Sequence, residues 1–283
     1  MTQYGWANIS ESIRRQVWNL VEALEQLLNR DLVGLYLHGS LAMGCFNPRT
    51  SDLDFLVVMR RAMTIDQRKR LAEMLLRLSN APVPLEASFL TAESLTHWRH
   101  PAPYDFHFSE DCRAKFDHAL HAGECMGWHR LQGEDPDLAA NITMARERGV
   151  VLHGPPVRST LPPVPERDFL AALRTDGEWA RDRMDQEAVY AVLNQCRTLG
   201  YLREQLILSK AEGAKWALST LPKQYHDLVA KAFAAYDLDG KLGRPDRMQL
   251  RRFLDYAQSE DEMRPHRTRG RSLVPPGGTI SST

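Results

Sequence analysis

The sequence predicts an α+β fold in two parts: a mixed α/β unit over residues 1–153, then an α-helical bundle over 154–260, with a tail at 261–283. Three observations predict it. Apolar residues keep helical spacing across 8–30 and 64–78. The runs LVGLYLHGS, SDLDFLVVM and VPLEASFL are short, apolar and bounded by turn residues, as strands are. From Leu138 onward, helical patterns alone recur. A chain of 283 residues is also long for a single core and comfortable for two.

The first helical stretch places Ile13, Val17, Leu20, Val21, Leu24, Leu27 and Leu28 on one face, with charges between them. The strand run that follows ends in Gly39-Ser40, where a helical turn can begin, and the next run opens on Asp52-Leu53-Asp54. A second helix over Thr64 to Leu78 leads to the third run, which Pro82 and Pro84 delimit and Glu86 interrupts. Gly-Pro-Pro near 154 and Leu-Pro-Pro near 162 mark a hinge. Beyond it four or five helices can pack on their apolar stripes, with no strand candidate among them. The last twenty residues combine Arg, Pro, Gly and Ser and cannot repay their ordering entropy, so a disordered tail is expected. No internal repeat is found.

Basic and acidic side chains balance at 36 each, without the positive field that nonspecific nucleic-acid binding requires; a small-molecule substrate fits better. No apolar run approaches the roughly 20 residues that span a bilayer. The N-terminus lacks a basic region followed by an apolar stretch, so no membrane partner and a cytoplasmic location are expected. Cys45, Cys112, Cys125 and Cys196 show no CxxC spacing, which suggests neither a disulfide framework nor a cysteine zinc site. His118, His121, Cys125 and His129 fall close together, but Gly123 and Gly127 weaken any helix that would align them, and no zinc is expected there.

The chemistry concentrates in HGSLAMGCFNPRTSDLDFLVVM. Gly39 lets the backbone approach an anion, and Ser40 adds a hydroxyl at a turn whose amides point outward. Asp52 and Asp54, two apart on a strand, project from one face beside that turn. Paired carboxylates next to a phosphate-binding turn are the hard oxygen ligands that magnesium on a nucleoside triphosphate needs. A charged Glu86 inside an apolar strand costs stability unless it faces a site or a cation, which makes it the candidate general base and a third metal ligand.

Gly39, Ser40, Asp52, Asp54 and Glu86 together resemble the signature of the polymerase-β-like nucleotidyltransferase superfamily. WRHP at 98–101, VVLHGP at 150–155, PVPERDFLAAL, KWALSTLP and the QY that follows it resemble the streptomycin/spectinomycin adenylyltransferases, bacterial aminoglycoside-resistance enzymes. The likeness runs from about Leu20 to Tyr236. It implies transfer of AMP from ATP to a hydroxyl of a cationic acceptor, with a pair of magnesium ions on Asp52, Asp54 and Glu86, and a monomeric enzyme that binds both substrates between its two parts. It also implies that Arg197 and Lys210 grip the triphosphate and that Tyr236 contributes to the nucleotide site. Where the family carries a tryptophan after Phe-Gly-Glu, this chain has Asp111 after Phe108, Ser109 and Glu110. Trp179, Asp182, Asp185, Glu187 and Tyr190 correspond to the family's acceptor-binding helix. Two rivals stand beside this reading: the same enzyme with another small-molecule or protein acceptor, and a non-catalytic nucleotide-binding antitoxin or regulator. Against the second, Asp52, Asp54 and Glu86 are intact, and neither His226 nor His266 has an arginine at the spacing of a fused RNase.

Overall fold

Ser10 opens the first helix by accepting from the Ile13 amide, and α1 (Glu11–Leu28) then buries Ile13, Val17, Leu20, Val21, Leu24 and Leu28 along one face. Fully burying a side chain such as Leu20 or Leu24 stabilises by about 1.5–3 kcal/mol. The structure, a computed structural model, describes residues 4–121, 127–128, 131–238 and 246–262. Cys125, His129 and the tail beyond Glu262 lie outside the described residues.

The chain continues through β1 (Leu32–His38), the single turn α2 (Gly39–Ala42), β2 (Leu53–Met59), α3 (Ile65–Leu78) and β3 (Leu85–Thr91). A Thr64/Gln67 capping box starts α3, which carries the chain back so that β2 and β3 run parallel. Then come α4 (Ala92–Thr96), β4 (Ala102–Tyr104), β5 (Phe106–Phe108), α5 (Arg113–His121), β6 (Gly133–Asp135), α6 (Leu138–Arg148), β7 (Val150–His153) and α7 (Val157–Thr160). The main sheet has the order β5-β3-β2-β1-β7, antiparallel except for the β2/β3 pair, and β4 and β6 form a separate ribbon.

One departure from the sequence reading is β7. Helical patterns alone were expected beyond Leu138, yet Val150, Val151 and Leu152 extend the sheet along β1. A strand of four residues is too short for period-2 alternation to register, and the exposed flank of β1 supplies the hydrogen bonds that decide its conformation.

Alternation along the strands sorts side chains into two layers. Leu35, Leu37, Leu53, Phe55, Val57, Leu85, Ala87 and Phe89 face the core shared with α1 and α3. Tyr36, Leu56, Val58 and Leu90 face the opposite layer with Leu138, Ile142 and Ala145 of α6. On the first side, Arg68 and Asp105 form a buried ion pair at 2.6 Å, and Asp105 also accepts from the Met63 amide and from Gln132. Because those further hydrogen bonds satisfy the carboxylate, the pair is tolerable so far from water.

The rest is helical: α8 (Glu166–Asp182), α9 (Ala188–Glu204), α10 (Lys210–Thr220), α11 (His226–Leu238) and α12 (Arg247–Glu262). Their core gathers Val192, Leu193, Cys196, Leu199, Ala214, Ala217, Val229, Ala232, Phe253 and Leu254. Gly213 lets α10 cross α9 closely, since a Cβ there would stand 3.0–3.1 Å from Arg197 atoms. The two parts are tied by Trp98 donating to Asp168 at 2.9 Å, by Asn47 donating to the Tyr236 carbonyl at 2.8 Å, and by the Tyr236 hydroxyl donating to the Cys45 carbonyl at 3.1 Å.

Candidate active site

Register across the sheet assembles the site. His38 lies opposite Asp54, and Asp54 lies beside Glu86, so the three stand in one row across β1, β2 and β3. All three belong to the layer of Tyr36, Leu56 and Leu90, as does Asp52 just before β2. This end of the sheet abuts α2, where Gly39 has φ +63° and a Cβ would fall 1.8 Å from Asp54 Oδ2. Only glycine leaves room for that carboxylate, and the Ser40 amide donates to it. The spacing of Gly-Ser and Asp-x-Asp in the sequence thus becomes direct contact.

The carboxylates act on one another electrostatically. Burial first, and then the charges of Glu86 and Asp52, push the Asp54 carboxyl well above its usual range, although Lys210 and the Ser40 amide act the other way. Asp52 is raised by burial and by Glu110 and Asp111, against Lys210. Glu86, half-buried, is pushed up to about 7 by burial and then by Asp52, Asp135, Asp137 and Asp111. His38, 6% exposed, is held neutral by desolvation, its value lowered to about 4. Like charges this close are relieved by protons or by a cation. The donors are carboxylate oxygens, which suits magnesium. Among the described residues no three His, Cys, Asp or Glu side chains already share one point, so a divalent ion would have to draw them together.

Cations reach this face from the helical part. Lys210, the first residue of α10, has its ammonium 4.3 Å from the Tyr190 ring centroid and 5.9 Å from that of Tyr236. It faces Asp54, Asp52 and Asp176, and its own value is lowered by burial and by Arg197. Arg197 is oriented by donating to the Leu208 carbonyl and the Asn194 side chain, each at 2.9 Å, and to the Met144 sulfur. Tyr236, 9% exposed, packs beneath the lysine.

The expected acceptor residues separate. Asp111, exposed, lies close enough to raise both Asp52 and Glu86. Tyr190 donates to Asp176 at 2.7 Å and packs edge-on against Trp179 at 5.4 Å, and Arg183 covers the other aromatic partner at 4.6 Å. Asp182 and Glu187 are exposed at the junction of α8 and α9, lining a shallow depression with Arg183 and Gln186, and Asp185 pairs there with Arg247. The site also includes residues that the sequence reading passed over: Asp135 at the end of β6 and Asp137 just after it, which act on Glu86, and Asp176, held by Tyr190 and Asn194. The run GEDPD carried the only signal for the first two. His118 and His121 are exposed on α5, and Cys45, Cys112 and Cys196 are unpaired.

Comparison with known proteins relates each part to a known domain family. Residues 17–100 match the nucleotidyltransferase domain family, and residues 159–260 match the aminoglycoside adenylyltransferase C-terminal domain. In this order of domains the chain resembles the aminoglycoside adenylyltransferases. It is similar to an aminoglycoside (3'') (9) adenylyltransferase of Klebsiella pneumoniae, 29% identical over 266 residues, which are 88% of this chain and 94% of that protein. A spectinomycin 9-adenylyltransferase of Staphylococcus aureus is 27% identical over 234 residues, 81% of this chain and 86% of its own length. Among solved structures, the spectinomycin adenyltransferase of Enterococcus faecialis, crystallised with ATP and spectinomycin, superposes with a TM-score of 0.71 at 18% identity, covering 88% of this chain and 99% of that one. The fold is therefore that of a nucleotidyltransferase domain joined to a helical domain, and the chain is an adenylyltransferase. Among the described residues no helix is long and apolar enough to cross a membrane.

Proposed function

We propose that the enzyme transfers AMP from ATP to a hydroxyl of a cationic aminoglycoside or aminocyclitol, such as spectinomycin or streptomycin, releasing pyrophosphate and conferring resistance. The observation that carries this reading is the accumulation of carboxylates near Glu86: Asp54 stands beside it across β2 and β3, and Asp52, Asp111, Asp135 and Asp137 are near enough to push its carboxyl up. A neutral acceptor would have no use for so much negative charge, whereas a polyamine-like antibiotic compensates it.

In this reading Gly39 and Ser40 receive the phosphates, and Lys210 and Arg197 neutralise them from the helical side, with Tyr236 supporting the lysine. Asp52, Asp54 and Glu86 hold the magnesium ions. When bound, magnesium supplies positive charge to the phosphate oxygens as pyrophosphate departs. The acceptor oxygen bonds to the α-phosphorus, the bond to the bridging oxygen breaks, and Glu86 takes the hydroxyl proton. A carboxyl poised near neutrality suits a general base. Asp111, Asp135, Asp137 and Asp176 receive the acceptor's ammonium groups, and Trp179, Tyr190, Asp182 and Glu187 border its entry. The catalytic unit ends at residue 153, where β7 ends, and 154–260 closes the cleft as a monomer in the cytoplasm.

Incubation with α-labelled ATP, magnesium and a panel of aminoglycosides, aminocyclitols and neutral sugars tests the proposal. Label is expected on spectinomycin or streptomycin and on no neutral sugar. Label on none of the cationic compounds removes this acceptor class.

A further inference from the structure

Arg148 ends α6 and belongs to none of the motifs above. Its guanidinium is bidentate on Glu212, with Nη1 donating to Oε2 at 3.3 Å and Nη2 to Oε1 at 3.2 Å, and Nη2 also donates to the Met43 carbonyl at 3.4 Å. These partners belong to different pieces of the nucleotide site. Met43 terminates the turn that Gly39 and Ser40 begin. Glu212 closes the capping box of α10: it accepts from the Ser209 amide at 2.8 Å, and its own amide donates to Ser209 Oγ at 3.2 Å. The residue between them at the helix start is Lys210. Packing follows the same line, since Met43, Cys45 and Ala211 form a buried cluster with Met144 of α6, and Arg197 donates to that Met144 sulfur.

We propose that Arg148 is a positioning residue for the nucleotide: its fork clamps the Gly39-Ser40 turn to the start of α10, so that turn and Lys210 meet the triphosphate as one preassembled unit. The inference rests on the reading of Lys210 as a triphosphate ligand. Both side chains of the ion pair are more than a third exposed, 36% for Arg148 and 39% for Glu212. Such a pair contributes little to folding, but a charged ligand group displaced by even about 1 Å loses much of its effect. Arginine is required because a planar fork holds two carboxylate oxygens and a carbonyl at once, which a lysine ammonium does less well.

The test compares Kd for MgATP, measured by titration calorimetry on the full chain, with melting temperature. Arg148→Met keeps the stem and removes the fork; it should weaken MgATP binding about tenfold while the melting temperature moves by no more than about 2 °C. Arg148→Lys should recover part of the loss. Glu212→Gln retains an acceptor for the Ser209 amide but not the charge, and combined with Arg148→Met it should bind no worse than Arg148→Met alone. Wild-type Kd in Arg148→Met overturns the clamp, as does strict additivity in the double variant. A fall in melting temperature with Kd unchanged overturns it too, leaving Arg148 a folding role only. Lys210→Ala, run in parallel, separates the two levels. Unchanged Kd in Lys210→Ala removes the triphosphate reading and the clamp with it, whereas weak binding there beside normal binding in Arg148→Met removes the clamp alone.

Discussion

Glu86 joins an energetic cost to the catalytic role proposed for it. Its carboxyl belongs to a strand whose neighbours Leu85 and Ala87 are fully buried, and it is pushed from an ordinary 4.5 to about 7 by burial and by the carboxylates around it. A raised acid contributes stability that is present below pH 4.5 and lost as pH rises through 7. In metal-free protein, Glu86→Gln should therefore melt above wild type at pH 8 and level with it near pH 4.5, and added magnesium should narrow the gap at pH 8. The same variant should weaken MgATP binding only modestly, through the altered metal ligand, but lose about 10²–10⁴-fold in kcat, because the proton acceptor is gone. Equal kcat would remove Glu86 from the chemistry; equal melting curves at pH 8 would show that its charge is not confined as the geometry indicates. Glu86, Asp52 and Asp54 were legible in the sequence for one physical reason: a carboxylate within an apolar strand of period 2 has few inexpensive places to point. Asp176 was not. Its place depends on Tyr190 and Asn194 of the following helix, a tertiary fact that no spacing encodes.

The turn after β1 decides whether the carboxylate row and the Gly39-Ser40 amides meet. A left-handed Gly39 allows the chain to leave the sheet at His38 and begin α2 within one residue, with Asp54 against its Cα. In Gly39→Ala the φ of +63° costs about 1–3 kcal/mol, and the new Cβ also displaces the Asp54 carboxylate. That variant should fold with a melting temperature lower by several degrees and lose magnesium-dependent ATP binding, whereas Ser40→Ala, which keeps the amide on Asp54, should retain most of it. Retained binding in Gly39→Ala would show that the turn tolerates a different conformation. Among elements, those with long periodic signals, α1, α3 and the three inner strands, were readable; β4, β6 and β7, of three or four residues, were not. Short strands take their conformation from the edges they join, and it is β6, paired with β4, that brings Asp135 and Asp137 toward Glu86. Arg148 escaped notice for a similar reason, since a single arginine at a helix end is also what favourable interaction with the helix dipole would place there.

At the scale of the molecule, charge is balanced overall, with 36 basic and 36 acidic side chains, but it is largely sorted around the candidate site. Lys210 and Arg197 come from the helical side, with Asp176 beside Lys210, while Asp52, Asp54, Glu86, Asp111, Asp135 and Asp137 come from the sheet side or its loops. Under the proposed function a polyanion and a polycation would bind at once, each opposite its own complement, and the negative charge of ATP would help the acceptor's ammonium groups to follow. Because the net charge is zero, long-range steering is weak, and attraction acts within about a Debye length, roughly 8–10 Å at ordinary ionic strength. Raising salt from 0.05 to about 0.5 M should therefore raise KM for a cationic acceptor by about an order of magnitude with a much smaller change in kcat. Replacing Asp135 and Asp137 together by Asn should flatten that salt dependence and raise KM for the acceptor at low salt, leaving MgATP affinity close to wild type. If acceptor KM is insensitive to salt in wild type, the carboxylates serve the metal and the fold, and the acceptor is recognised by shape and hydrogen bonding instead of charge.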